Sequence, residues 1–289
     1  MLLRAQILLL TVVTLLFEPV NAYLGAKVGI PSASSTKLES MVDGYSFEPL
    51  KSLLKDVDNV PVREELLLSR EKVASFKNSY IGFRHGQSHA NIAGIISSDF
   101  EIGVNGPHGL TPTGETQAKD AIGELFKAVG GSEKFERGDV AFIASPFSRA
   151  RQTAQVAATE IEKTLGRKVD IEIVDGLRER YFGEFDQRAL IYYNKVWPVD
   201  QIDSQNSRYG VESVADVCQR VLSVIEDCEN KYSSKVLVMT SHADTLQVLN
   251  TLFSGEDPRM FAAHRFRNCE VRELNIPGLE TRRVPLTYQ

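Results

Sequence analysis

Cysteine is scarce in this chain: three in 289 residues. Three cannot build a disulfide framework. Cys218 and Cys228 fall within one predicted helix, ~15 Å apart if it is continuous, too far to bridge. Three buried thiols are expected. No basic run or basic–aromatic cluster occurs, and the net charge is -5. Nucleic acid is therefore not an expected partner. The apolar run Ile7–Phe17 falls short of the ~20 residues that span a bilayer. There is no Asn-x-Ser/Thr sequon, so glycosylation says nothing about compartment, and no internal repeat.

What is present begins with a leader pattern. Arg4 precedes the run Ile7–Phe17, and Val20-Asn21-Ala22 fits the small-residue rule for signal-peptidase cleavage. Residues 1–22 are read as a signal peptide. They predict entry to the secretory pathway, as a secreted or endomembrane-lumen protein, with no stable membrane insertion after cleavage. Residues 23–37 are basic and hydroxyl-rich and carry no acid. They read equally as a plain linker or as a transit-type segment, which would complete a two-part address to a membrane-bounded plastid. Residues 45–78 show leucine-rich helical patches around Pro61 and are read as an extension that packs on the domain. The core is expected from Ser79.

From there apolar runs alternate with amphipathic segments. Strands are predicted at 80–84, 140–144, 171–174 and 236–239, with a closing edge strand at 270–274. Helices are predicted at 110–129, 149–165, 213–231 and 244–253, and a polar, Gly-rich loop at 91–109. Thr111 or Thr113 is the expected cap of the first helix, with Pro112 near its first turn and Gly130-Gly131 as its stop. This alternation implies an α/β fold, a three-layer sandwich with a mostly parallel central sheet flanked by helices.

In a parallel sheet the carboxyl ends of the strands share one edge, where ligands bind. Four predicted strands end in ionisable groups: Arg84 and His85, Arg149, Glu179, and His242. Gly86 is expected to let the backbone approach a bound anion. Each residue alone reads better as something ordinary: a satisfied histidine, a surface arginine at a helix start, a solvated loop acid. Their joint arrival at one edge is what carries weight. Two arginines beside one carboxylate make a poor metal site, so no metal or other cofactor is expected, despite the i, i+4 spacing of His85 and His89. The same set suits a tetrahedral dianion. Two guanidiniums and an imidazolium can hold phosphoryl oxygens, a second imidazole can attack phosphorus, and a carboxylic acid can protonate the departing oxygen. Arg178, Arg180, Arg188 and Arg208 are read as solvated charges, and His108 and His264 have no assigned role.

The stretch Arg84-His85-Gly86-x-Ser88-x-x-Asn91 resembles the signature of the histidine phosphatase superfamily, in its phosphoglycerate-mutase-like branch. The resemblance runs from about Tyr80 to Leu274. It passes through Leu110-Thr111-x-x-Gly114-x-x-Gln117-Ala118, Ser145-Pro146-x-x-Arg149-Ala150-x-x-Thr153-Ala154, Leu177-Arg178-Glu179-x-x-x-Gly183, Gly210-Val211-Glu212-Ser213 and Ser241-His242. It implies a histidine phosphatase domain at 79–277, followed by a tail at 278–289. It implies His85 as the nucleophile, with one ring nitrogen held by backbone. Arg84, Arg149 and His242 would bind the phosphoryl group, with Asn91 and Ser88 at its rim. Glu179 would be the proton donor, and later the base that activates water. A proton donor among three cations works against its own chemistry, so Glu179 is expected to sit slightly apart from the arginines or to be tuned by bound phosphate.

Departures from the mutase pattern bear on the reaction. Phe182 stands where mutases carry a tyrosine, the segment between Glu179 and Gly210 is short, and Ala243-Asp244 follows the second histidine. These favour a phosphomonoesterase acting on a small phosphorylated substrate. Phosphoglycerate-mutase-type transfer is the runner-up, and an inactive phosphate-binding module on the same fold is third. Oligomeric state is left open.

Overall fold

The most apolar strand lies at the centre of the sheet. The computed structural model describes residues 67–275. The expectations for the leader, the residue 23–37 segment, most of the extension and the C-terminal tail lie outside the described residues. The described residues divide between two units: one holds 67–192 and 203–275, and the other is represented by 193–202. In the latter, one helix (Tyr193–Asp200) contains Pro198, and Tyr193 stacks on Trp197 one turn on, with ring centroids 4.4 Å apart.

In the larger unit, five strands form one sheet: β1 (Ser79–Arg84), β2 (Val140–Ala144), β3 (Ile171–Ile173), β4 (Val236–Ser241) and β5 (Val271–Asn275). Their spatial order is β3-β2-β4-β1-β5. The first four are parallel, and β5 closes the edge antiparallel to β1. All six residues of β4 are buried, as expected for a parallel strand covered on both faces. Side chains alternate across the sheet. Ile81, Phe83, Val140, Phe142, Val236 and Val238 share one hydrophobic cluster with Leu125, Phe135, Ala154, Ala157, Ala158 and Ile161. On the opposite face, the Tyr80 hydroxyl donates to Glu229 Oε1 at 2.7 Å.

Helices α1 (Pro112–Asp120), α2 (Ile122–Ala128) and α3 (Ser148–Leu165) cover the first face; α4 (Val214–Lys231) and α5 (Ala243–Phe253) cover the second. On α3, Ala154, Ala157, Ala158 and Ile161 form an i, i+3, i+4, i+7 stripe into the cluster. Small side chains there bring the helix close to the sheet. Thr111 is the cap of α1, accepting from Gly114 N–H, with Pro112 in the first turn. Cys218 and Cys228 are buried on the continuous helix α4, and all three cysteines are free thiols. Burial pushes each thiol up to about 12.

Two expectations are corrected. The helix expected over 110–129 is split at Ala121, where ψ rises to -8° and the turn tightens. The loop expected over 91–109 holds two short helices, His89–Ala93 and Phe100–Asn105. Each starts at a polar cap, Ser88 or Asp99, and the first stops at Gly94 in the left-handed region. Composition marked the segment as polar, but capping chemistry decides its structure.

Candidate active site

The parallel ladders extend one residue past the strands, and that extension assembles the site. Arg84 is in register with Ser241, and Phe83 and Ala144 both with Thr240. Beyond them, His85 N–H donates to Ser241 O at 3.0 Å and Ser145 N–H to Thr240 O at 2.9 Å. His85, Ser145 and His242 therefore stand on neighbouring strands at the carboxyl edge. The two imidazole centroids are 5.2 Å apart.

His85 is 3% exposed. Its Nδ1 lies 2.7 Å from Gly86 O, and its Nε2 lies 3.2 Å from Arg149 Nε. A carbonyl can only accept and a guanidinium can only donate. One neutral tautomer satisfies both contacts, with the proton on Nδ1 and the lone pair on Nε2. Burial, then the Arg149 and Arg84 cations, push this histidine well below its usual range, opposed by the Gly86 bond. The ring stays neutral.

Gly86 has a packing task beside the one expected of it. A Cβ there would meet Gly114 O at 2.5 Å, and a Cβ on Gly114 would in turn collide with Gln87 O. The two glycines let the loop after His85 lie directly on the start of α1. Gly86 N–H donates to Thr153 Oγ1 at 3.0 Å. The room it makes here is taken up by the Gly114 backbone.

Arg149, in the first turn of α3, is 3% exposed rather than a surface arginine. Besides His85, its Nη2 donates to Ser97 O at 2.9 Å and its Nη1 lies 3.5 Å from Ser97 Oγ. That hydroxyl is 2.8 Å from His108 Nδ1. Arg84 donates from Nη1 to Phe266 O at 2.7 Å. Both cations are thus aimed by backbone carbonyls.

His242 is fully buried at the cap position of α5, with Nε2 2.8 Å from Ser145 Oγ. Ser145 Oγ already accepts from Phe147 N–H at 3.2 Å. Its own proton therefore finds an acceptor in Nε2, which leaves Nδ1 as an N–H. That buried Nδ1 has no hydrogen-bond partner among the described residues. Burial first, then Arg149, His85 and Arg84, press His242 well below its usual range. With no anion beside it the neutral ring is favoured here, and a bound phosphoryl group would favour the imidazolium expected from sequence.

Glu179 follows the 3-10 turn Asp175–Leu177 after β3 and is 7% exposed. Its Oε1 accepts from Arg180 N–H at 2.9 Å and lies 3.4 Å from both Thr245 N and Thr245 Oγ1. The carboxylate caps the amino end of α5, whose own cap residue supplies no such bond. At the rim, Ser88 and Asn91 form a reciprocal capping box. The Ser88 hydroxyl is used in both directions by Asn91. Asn91 Oδ1 also accepts from Asn268 Nδ2 at 3.4 Å, while Asn268 Nδ2 reaches His85 O at 3.0 Å.

The arginines beside Glu179 are not solvated as expected. Arg180 is fully buried, with Nε donating to Glu212 O at 2.7 Å, an ion pair to Asp244 at 3.7 Å, and Phe182 and Phe261 rings against its guanidinium. Arg178 and Arg220 both meet the Glu212 carboxylate, at 3.0 and 2.8 Å. Ser97, Ser145, Thr153, Thr245 and Asn268 were missed. Ser145 and Thr153 belong to a motif already quoted, without a role there, whereas Ser97 contributes mainly a carbonyl, which no side chain announces.

The model of the histidine phosphatase superfamily (branch 1) matches residues 81–284. The chain belongs to this superfamily. A search of curated proteins gave no match. Solved structures share the fold at low identity. The mycobacterial glucosyl-3-phosphoglycerate phosphatase complexed with VO3 is 17% identical, with a TM-score of 0.52, covering 67% of this chain and 88% of that one. A putative alpha-ribazole-5'-P phosphatase from Escherichia coli is 23% identical, with a TM-score of 0.50 and the same coverage. A phosphoserine phosphatase from Entamoeba histolytica is 19% identical, with a TM-score of 0.51, again covering 67% and 88%. These likenesses show the fold that the superfamily shares.

Proposed function

We propose that this chain is a phosphomonoesterase that works through a phosphohistidine on His85. The observation that carries the reading is the pair of contacts that leave the lone pair on Nε2. In the first step Nε2 attacks phosphorus in line. The N–P bond forms as the ester P–O bond breaks, and the departing oxygen takes a proton from Glu179. Arg149 turns from Nε2 to the phosphoryl oxygens, joined by Arg84 and the Nδ1–H of His242. Asn91, with Oδ1 engaged in its cap, offers its amide N–H groups at the rim. In the second step the Glu179 carboxylate takes a proton from water, whose oxygen attacks phosphorus. The N–P bond breaks, and phosphate leaves with His85 in its original tautomer.

The phosphatases that share this fold support a small phosphorylated substrate. Phe182 and the short 180–209 segment support water over a phosphoglycerate as acceptor. A secretory address carried by residues 1–22 belongs to the same reading; a mature amino terminus at Tyr23 would support it, and an intact Met1 would count against it.

Hydrolysis of p-nitrophenyl phosphate in excess chelator, wild type beside His85→Ala, tests the proposal. The expected result is chelator-resistant release of phosphate that His85→Ala lacks. An inactive wild type would overturn the phosphatase reading. Phosphoryl return to phosphoglycerate, dependent on a bisphosphorylated primer, would replace it with a mutase.

A further inference from the structure

The proton donor is held from a helix that also presents a phosphoryl-binding group. Thr245 is fully buried in the first turn of α5, three residues after His242. It bridges three parts of the site. Its hydroxyl donates to Arg178 O at 2.7 Å, pinning the backbone one residue before Glu179. Its N–H and Oγ1 both face Glu179 Oε1 at 3.4 Å. Its Oγ1 also lies 3.5 Å from Arg220 Nη2, and Arg220 grips the Glu212 carboxylate and, through Nη1, Gly176 O at 2.6 Å. Among the described residues, the hydrogen bonds to the Glu179 carboxyl fall on Oε1, so Oε2 is the oxygen left for a proton in transit.

We propose that Thr245 is a positioning residue for proton donation. By tying the backbone before Glu179 and one carboxyl oxygen to the helix that carries His242, it fixes the other oxygen toward the leaving group. This rests on the reading of Glu179 as the donor. A threonine suits the task because its one hydroxyl proton is committed to the Arg178 carbonyl, its N–H faces Glu179 Oε1, and its lone pairs are left to Arg220 Nη2. Valine keeps the shape and the N–H and loses the tie to Arg178 O.

Leaving-group dependence supplies the test. An alkyl phosphate needs its departing oxygen protonated, whereas p-nitrophenolate leaves with little help. The ratio of kcat/KM for the aryl to the alkyl ester reports proton donation alone. It is also independent of how much enzyme is folded, because active concentration cancels. Thr245→Val is expected to raise that ratio about tenfold, and Thr245→Ser, which keeps the hydroxyl, to leave it within about twofold. Glu179→Gln sets the ceiling, on the order of 10²-fold or more. An unchanged ratio in Thr245→Val, with a raised ratio in Glu179→Gln, would overturn the positioning role and leave the phosphatase reading intact. An unchanged ratio in Glu179→Gln would remove Glu179 as donor. Persistence of activity in His85→Ala would remove the reading beneath both.

Discussion

The two sides of the site, phosphoryl-binding and proton-donating in the proposed function, are held by different means. On the phosphoryl side, His85, Ser145 and His242 follow directly from parallel strands in register, and carbonyls of Gly86, Ser97 and Phe266 aim the charged or nucleophilic groups. On the proton-donor side, Glu179 leaves a short edge strand and depends on a side-chain network of Glu212, Arg178, Arg220 and Thr245. Backbone-built geometry needs few particular neighbours. Ion-pair geometry needs each member of its set. Substitutions should therefore damage chemistry alone on the first side, and chemistry together with stability on the second.

The largest effect expected from this contrast is at Arg149. Arg149→Met should lower kcat/KM by about 10²- to 10³-fold, the loss typical of a transition-state charge donor, with a nearly unchanged melting temperature. A large loss of stability with a modest loss of activity would erase the distinction.

Glu212→Ala comes next. It strips the shared carboxylate from Arg220, 11% exposed, and from Arg178, 32% exposed. The cost should be about 3 kcal/mol, the low end for a broken buried pair because solvent screens Arg178. Denaturant unfolding measures it. A change below ~1 kcal/mol would mean that the network contributes little.

The smallest effect is a pH dependence that belongs to the phosphoryl side. His85 and His242 are both pressed below their usual range by burial and neighbouring cations. Above pH ~6.5 both rings are neutral whether folded or not, and this part of the stability is fully present. As pH falls below ~6.5 the unfolded chain binds protons that the folded one refuses, so stability declines by up to ~1.4 kcal/mol per unit for each ring. Inorganic phosphate favours the charged form of His242 and should stabilise the protein more at pH 5.5 than at pH 7.5. Equal stabilisation at both would contradict the neutral pocket.

How much the sequence made legible follows the same division. Strand ends in a parallel sheet must converge, so Arg84, His85, Arg149, Glu179 and His242 could be named from their positions, and the sheet with them. What supports those residues was not legible. Arg180 is a charged residue by type, and only the fold shows it buried between Phe182 and Phe261. Gly86 suggested an anion, and the close approach of Gly114 is a tertiary fact. The charge of His242 depends on burial, which a one-dimensional pattern does not contain.

The central claim is that Nε2 of His85 carries the phosphoryl group. The most direct test is to quench turnover in alkali, where phosphohistidine survives, and map the phosphate by peptide mass spectrometry and 31P NMR. The account predicts phosphate on the His85 peptide as the Nε2 isomer, absent from His85→Ala. Phosphate on Nδ1, or on His242, would contradict it.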